Sequence, residues 1–279
     1  MRIIDSSLIG AAVKRLFISS NINLPDDVST AIARARNCET WAPAQRMLDA
    51  VAENAKTARE LGIPICQDTG MACVFLDIGE RVFIDGDIKA AVNDGVADAC
   101  REGYLRASIV ADPLRRDNTG DNTPAALYID IVPGDNVTVT VAPKGFGSEN
   151  MSRIKMLKPA EGEQGVLDFV VETALLAGGS PCPPIVVGVG IGGSFDRAAL
   201  LAKRALLRPL GEPHHDAYYA ELERTLLKRI NALGIGPMGF GGDTTALGVS
   251  ILTAPTHIAG LPAAVNINCH VTRHATEII

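Results

Sequence analysis

Three of the six cysteines in this 279-residue chain lie where a thiolate can bind a metal. Cys66 is followed by the polar run Gln-Asp-Thr-Gly, Cys182 is surrounded by three prolines, and Cys269 is flanked by an asparagine and a histidine. Proline and glycine disfavour a regular helix at such positions, and polar neighbours can support the negative charge of a thiolate. These three residues are therefore candidate ligands for a thiolate-bound metal.

The remaining cysteines have a simpler interpretation. Cys38 is at the end of a predicted helix, Cys73 in an apolar strand and Cys100 within a helix, where a buried thiol usually packs as a small hydrophobe. The chain has no CxxC pair, and closed zinc sites normally use four ligands in such paired motifs. Spacing alone therefore leaves open whether the three candidate ligands share one metal or are unrelated.

Four sequence motifs occur together in this chain: CQDTG at 66–70, KGFGSEN at 144–150, PCPP at 181–184 and NCH at 268–270. With these motifs the chain resembles the N-terminal part of class I fumarases and the α subunits of two-subunit fumarases and L-tartrate dehydratases. The resemblance extends from the helical start to the C-terminus. It implies that Cys66, Cys182 and Cys269 bind a [4Fe-4S] cluster and leave one iron open to substrate. An iron with an open position acts as a Lewis acid.

The same resemblance implies roles for polar residues near the cysteines. Asp68 and His257 correspond to catalytic positions, whereas Gln67, Arg106 and Gly147 correspond to substrate-binding positions. A planar guanidinium suits a carboxylate, and glycine lets backbone N–H groups approach an anion. Taken by themselves, Asp68 fits a loop-capping residue, Arg106 a solvated arginine at a helix end and His257 a structural histidine.

Three further residues of the motifs are weaker candidates. Lys144 and Ser148 flank the Gly-Phe-Gly turn, and Phe146 in that turn departs from the glycine of many relatives. His270 adjoins Cys269, where it can donate a hydrogen bond toward a metal-ligand cysteine.

A glycine-rich segment, Gly188–Gly193, fits the pattern G-x-G-x-x-G, which can place a pyrophosphate at a helix N-terminus. The expected βαβ continuation fails, because the following helix leads through Pro209 and Pro213 into a second helix instead of a strand. We interpret the segment as tight packing of a strand against a helix near the cluster. A non-catalytic nucleotide-binding or metal-binding protein is the remote alternative.

Composition argues against several classes of protein. With 47% hydrophobic residues the chain can bury a sizeable core without disulfides. The net charge is −6, from 26 basic and 32 acidic residues, and no dense run of lysine and arginine indicates a nucleic-acid partner. Neither a signal peptide nor a stretch of about 18 apolar residues is evident. We therefore expect a cytoplasmic protein without a membrane partner.

Periodicity and capping residues predict an α+β fold. A helical lobe at residues 1–62 is expected to pack on a mixed α/β lobe at residues 63–279 that carries the candidate cysteines, the two forming one functional unit. In the helical lobe, Asp5 or Ser6 caps the first of three helices and Gly62 ends the third.

The mixed lobe alternates strands and helices. Residues 126–132 and 137–141 flank the turn sequence Pro-Gly-Asp-Asn and are predicted to form a hairpin. Further strands are predicted at 72–76, 185–189, 246–252 and 263–267, and helices at 88–102, 165–177, 194–207 and 215–233.

A single-chain class I fumarase continues into a second domain that carries the general base and further substrate ligands. By the same resemblance we expect an obligate β subunit that completes the active site, a small dicarboxylate substrate and an α2β2 assembly. The first prediction for the function is fumarate hydratase, the reversible hydration of fumarate to L-malate in the tricarboxylic acid cycle. The alternative is an L-tartrate or related hydroxy-dicarboxylate dehydratase, because part of the specificity lies in the partner.

Overall fold

A computed structural model describes residues 2–279, and this part of the chain combines α-helices with mixed β-sheets, which confirms the predicted α+β class. The helices are α1 Ser6–Ile22, α2 Asp26–Cys38, α3 Ala42–Leu61, α4 Ile88–Glu102, α5 Phe146–Glu149, α6 Gly162–Ala177, α7 Phe195–Ala205 and α8 Ala217–Asn231. The strands are β1 Arg2–Asp5, β2 Met71–Gly79, β3 Val82–Asp85, β4 Ala126–Val132, β5 Val137–Lys144, β6 Arg153–Leu157, β7 Ile185–Gly192, β8 Ala246–Ala254, β9 Leu261–Asn268 and β10 Ala275–Ile278. Among the described helices, none combines the length and hydropathy that a membrane span requires.

The first three helices begin and end close to where local signals predict. Asp5 caps α1 by accepting a 2.8 Å hydrogen bond from the backbone N–H of Ser7. Gly62 follows α3 with a φ of +64°, a conformation that glycine adopts at little cost after a helix. Both capping predictions are confirmed.

The chain forms two compact units. The first unit combines the N-terminal segment up to Pro25 with Ala55–Phe146 and Arg273–Ile279, and the second unit combines Asp26–Asn54 with Gly147–Thr272. These units differ from the two lobes predicted with a boundary at residue 62. Helix α1 packs against α4 and β5 in the first unit, whereas α2 packs against β8 in the second. Helices that are neighbours in sequence thus belong to different units because tertiary packing separates them.

The first unit contains a four-stranded mixed sheet in the order β10-β5-β2-β4. Strand β2 runs parallel to β4 and antiparallel to β5, and its Cys73 pairs with Ala126 on one side and Ala142 on the other. The predicted hairpin between β4 and β5 is therefore wrong, although both strands exist. Residues Ala72–Leu76 of β2 are all buried. A continuously apolar strand is better placed inside a sheet than at its edge, so β2 lies between the two strands that are close in sequence.

The second unit contains the sheet β6-β9-β7-β8, with α7 on one face and α6 and α8 on the other. Val187 and Val189 of β7 join the core formed with α6 and α8, whereas Gly188 and Gly190 face α7. A Cβ atom at either glycine would lie 2.1 Å from a carbonyl oxygen of α7. The predicted packing of a glycine-rich strand against a helix is confirmed, and it accounts for these glycines without a bound phosphate.

Candidate active site

Cys182 and Cys269 lie at the same edge of the sheet in the second unit. Cys182 precedes β7 and Cys269 follows β9, and the two strands are antiparallel, with Val186 paired to Asn268. The backbone N–H of His270 donates to the carbonyl oxygen of Cys182 at 3.3 Å. The sheet register therefore brings the two cysteine-bearing loops into direct contact.

The loop of Cys182 is a tight turn with an unusual backbone. Cys182 has a φ of +53°, in the left-handed region that few non-glycine residues adopt, and its N–H donates to the carbonyl of Gly179 at 3.1 Å. The carbonyl of Pro183 accepts a 2.7 Å bond from the N–H of Met238. The side chain of Cys182 is exposed and that of Cys269 is half-buried. The turn thus presents the Cys182 thiol at the surface, a use of backbone strain that is common at functional sites.

The side chain of His270 strengthens the contact between the two loops. Its Nδ1 lies 2.8 Å from the carbonyl oxygen of Cys182. A carbonyl oxygen only accepts hydrogen bonds, so this geometry assigns the proton to Nδ1 of His270. His270 therefore holds the backbone of one cysteine loop while it adjoins the other cysteine, and its hydrogen bond toward a metal ligand stays a prediction.

Gly147 lies in a segment that is tied to the same edge. A Cβ atom on Gly147 would be 4.0 Å from the carbonyl oxygen of Ser180, in the turn that carries Cys182, and Gly147 itself is exposed. Two residues later, Glu149 binds Lys203 at 2.6 Å and accepts a 2.7 Å hydrogen bond from Asn266 of β9. The second unit thus brings together parts of three of the four motifs.

Cys66 belongs to the first unit, in a bend after α3. Its side chain is half-buried, and its Sγ lies 3.6 Å from Oε1 of the exposed Gln67. The carboxylate of Asp68 accepts the N–H of Gly70 at 3.1 Å and the N–H of Phe146 at 2.9 Å. Asp68 therefore holds the CQDTG loop against the beginning of the KGFGSEN motif. These bonds match the loop-capping interpretation, and a catalytic role of Asp68 stays a prediction.

The backbone of Arg106 lies beside the same loop, while its side chain is exposed. The hydroxyl of the buried Thr69 accepts the N–H of Arg106 at 2.9 Å. The fully buried Asn122 donates to the carbonyl of Gly70 at 3.0 Å and accepts the N–H of Ser108 at 2.9 Å. Asn122 was not among the predicted site residues, because Asp-Asn-Thr-Pro has the composition of an ordinary turn and carries no distinguishing signal.

His257 is not close to the cysteines of its own unit. It is exposed in the turn between β8 and β9, where its Nδ1 accepts the N–H of Ala259 at 3.2 Å. Cys269 follows the other end of β9, and the eight residues of that strand span roughly 25 Å. Within one chain the structure therefore separates this predicted catalytic residue from Cys182 and Cys269.

The remaining cysteines differ in environment. Cys73 and Cys100 are buried, as predicted, and burial is the main cause that raises the pKa of the Cys100 thiol to about 11. Cys38, in contrast, is exposed at the end of α2. A buried thiol with a raised pKa is a poor metal ligand, because the thiolate is the form that binds.

The donor chemistry of the candidate cysteines fits an iron–sulfur cluster, for which thiolates are the ordinary ligands. Cys182 and Cys269 occupy loops that are hydrogen-bonded to each other in the second unit, and Cys66 lies in the first unit. Among the described residues, no three or more His, Cys, Asp or Glu side chains lie together around a common metal position. The fit of an iron–sulfur cluster thus rests on the thiolate donors and on the contact between the Cys182 and Cys269 loops.

Comparison with known proteins identifies the family. The family model described as fumarate hydratase (Fumerase) matches residues 10–277. A protein of Methanocaldococcus jannaschii, provisionally named L(+)-tartrate dehydratase subunit alpha, is 45% identical over 278 residues, which cover 97% of each chain. The L(+)-tartrate dehydratase subunit alpha of Escherichia coli O157:H7 is 35% identical, and that of strain K12 is 34% identical, each over 92% of this chain and 86% of the relative. The chain therefore belongs to the fumarate hydratase (Fumerase) family.

Proposed function

We propose that this chain is the α subunit of a two-subunit iron–sulfur hydro-lyase that removes water from L(+)-tartrate or a closely related hydroxy-dicarboxylate. The observation that carries the proposal is the contact of the Cys182 and Cys269 loops, beside Gly147, in a member of this family. Fumarate was the first substrate predicted from the sequence, but the names of the relatives support tartrate instead. Their names carry weight because the similarity covers nearly the whole length of those α subunits.

The proposed reaction is an elimination. A proton leaves one of the two middle carbons of tartrate and hydroxide leaves the other, so that water and an enol form. The enol then takes the keto form, oxaloacetate. Such a reaction needs a base for the carbon-bound proton, an acid for the departing hydroxide and cationic or N–H groups for the two carboxylates.

Cys66, Cys182 and Cys269 would hold the [4Fe-4S] cluster. When bound, the cluster supplies a Lewis-acidic iron that makes the substrate hydroxyl a better leaving group. The contact between the Cys182 and Cys269 loops supports two of these ligands, and the inclusion of Cys66 rests on the family resemblance.

Gln67, Arg106 and Gly147 are proposed to bind the substrate. The exposed guanidinium of Arg106 can bind a carboxylate through two parallel hydrogen bonds, and the exposed amide of Gln67 can bind a hydroxyl or carboxylate. Gly147 has no side chain to keep an anion from nearby N–H groups. The Asp68 carboxylate accepts the N–H groups of Gly70 and Phe146 and has further lone pairs. Asp68 is proposed to act on the substrate with these remaining lone pairs.

His257 is proposed to act in the active site of a second α subunit. The support is its separation, by the length of β9, from Cys182 and Cys269 of its own chain. The predicted α2β2 assembly offers such a second site, and a β subunit is proposed to contribute further residues to each site. That partner agrees with the name "subunit alpha" of the relatives.

The proposal is tested on the native complex, purified anaerobically through an affinity tag on this chain. L(+)-tartrate, D(−)-tartrate, L-malate and fumarate are compared as substrates. We expect a co-purifying smaller subunit, oxaloacetate as product and the highest kcat/KM with L(+)-tartrate. Absence of activity with all four substrates in a complex that contains iron and sulfide would reject the proposal.

The cluster is tested by iron and acid-labile sulfide content after anaerobic reconstitution. We expect about four of each per chain in the wild type and a strong loss in Cys66→Ala, Cys182→Ala and Cys269→Ala. Cys38→Ala is the matched control, because Cys38 is an exposed thiol outside the motifs. Equal metal content in all variants would remove the cluster from the proposal.

Fumarate hydration is the second candidate, because the matching family model is described as fumarate hydratase. Activity on fumarate and L-malate without activity on either tartrate would overturn the tartrate assignment and support this candidate.

A further inference from the structure

A buried arginine contacts the loop of Cys66. Arg273 is only 4% exposed, and its Nη2 donates to Oδ1 of Asn21 at 3.0 Å and to the backbone carbonyl of Asp68 at 2.9 Å. All three residues belong to the first unit. A buried guanidinium is costly unless hydrogen bonds compensate for lost water, so these contacts are strongly constrained.

Asn21 extends the contact to the other side of Cys66. It is fully buried in the last turn of α1, where its amide donates to the carbonyl of Phe17 at 3.0 Å. Its own backbone carbonyl accepts the N–H of Ile65 at 2.9 Å. The Arg273–Asn21 pair therefore holds the chain at Ile65, just before Cys66, and at Asp68, two residues after it.

Between these two anchors only Cys66 and Gln67 extend toward solvent. Gln67 is exposed and Cys66 is half-buried, although the backbone on both sides is bound to buried groups. A loop held at both ends loses little conformational freedom when its tip binds a ligand, so less of the binding free energy is spent on ordering it.

We propose that Arg273 is a positioning residue for Cys66. Arg273 keeps the Cys66 thiol in the conformation that binds a metal before any cluster is present. The proposal rests on the proposed function in that it takes Cys66 as a cluster ligand. The anchoring itself is a property of the cluster-free protein, so it can be tested independently of the reaction.

The test measures the alkylation rate of each cysteine in reduced, cluster-free protein by iodoacetamide labelling and peptide mass spectrometry. In Arg273→Gln we expect Cys66 to react roughly ten-fold faster, the factor that corresponds to about 1.4 kcal/mol. Cys182, in the second unit, should keep its wild-type rate. A Cys66 rate equal to that of the wild type, or an equal increase at Cys66 and Cys182, would overturn the proposal.

Arg59→Gln is the matched control. Arg59 also donates from its guanidinium to a backbone carbonyl of the first unit, that of Leu24 at 3.2 Å, which lies outside the Cys66 loop. We expect no change at Cys66 in this variant. An increase equal to that of Arg273→Gln would show a general loosening of the unit and contradict a specific role.

Buried Cys73 and Cys100 report whether a variant is folded. If Cys73 and Cys100 react in Arg273→Gln, that variant is unfolded, and Arg273→Lys is used for the test instead. Lysine retains the charge on a shorter side chain. We expect partial rescue there, with a Cys66 rate between those of the wild type and Arg273→Gln. A folded Arg273→Lys protein with an unchanged Cys66 rate would contradict the proposal.

A second readout uses reconstituted protein. We expect Arg273→Gln to lose iron to a chelator roughly ten-fold faster than the wild type, because a mobile Cys66 rebinds the metal less effectively. If the wild type binds no cluster, the proposed function fails, whereas the alkylation result still decides the role of Arg273.

Discussion

The candidate ligands are held in two different ways. In the second unit, Cys182 and Cys269 are placed by the register of β7 and β9, so that paired backbones determine where their loops meet. In the first unit, the Cys66 loop is held by individual buried side chains, above all Arg273 and Asn21. A placement by strand register depends on the packing of a whole sheet, whereas a placement by side chains depends on single hydrogen bonds. The two regions should therefore respond differently to substitution.

The largest effect is expected where the sheet of the second unit meets α7. In Gly190→Ala the new Cβ would lie 2.1 Å from the carbonyl oxygen of Ala198, and neither backbone can move without disturbing β7. We expect the free energy of unfolding to fall by about 3 kcal/mol, measured by urea denaturation. Gly260→Ala is the control, because its Cβ would meet its nearest atom at an ordinary 3.9 Å. A similar loss in both variants would refute the importance of this contact.

A smaller effect is expected from removing one side chain that holds the first unit's loops. Asn122→Ala leaves the carbonyl of Gly70 and the N–H of Ser108 without this buried partner. We expect a loss of about 2 kcal/mol in the free energy of unfolding. Asn118→Ala removes an exposed asparagine from the same segment and should change stability by less than about 0.5 kcal/mol. Equal effects would mean that burial does not distinguish the two residues.

The smallest effect concerns the buried thiol of Cys100. Its pKa is raised from an ordinary 9.0 to about 11, so the folded state favours the neutral thiol. This contribution to stability is complete below pH 9 and is lost as the pH rises toward 11, because the unfolded chain ionises first. Near pH 10 we expect wild type to lose about 1 kcal/mol more than Cys100→Ala. Urea denaturation at neutral and alkaline pH measures the difference, which should not appear with Cys38→Ala.

Local sequence signals predicted most of the long elements but not their partners. The Asp5 cap, the end of α3 at Gly62 and the limits of α4 agree with the structure. The short strands β1, β3, β6 and β10 were missed, because four or five residues carry too little periodicity. The hairpin prediction failed because β2, distant in sequence, pairs with both β4 and β5.

For the candidate site, the motifs revealed the cysteines and their polar neighbours, since these residues are contiguous in sequence. The residues that hold them are scattered. Asn21, Asn122 and Arg273 lie in an ordinary helix, a turn and the segment after Cys269, with no local pattern that marks them. His257 shows how sequence distance can mislead, because twelve residues before Cys269 corresponds to the far end of β9. Its catalytic role stays a prediction.

The sequence by itself determined the family resemblance, the choice of candidate thiol donors, the α+β class and most helix limits, because each depends on neighbouring residues. Only the tertiary structure decided the order of the strands, the contact of the Cys182 and Cys269 loops and the anchoring of Cys66 by Arg273. These features arise from burial and hydrogen bonding between residues far apart in the chain, such as the bond of Arg273 to Asn21, and no local pattern specifies such pairs.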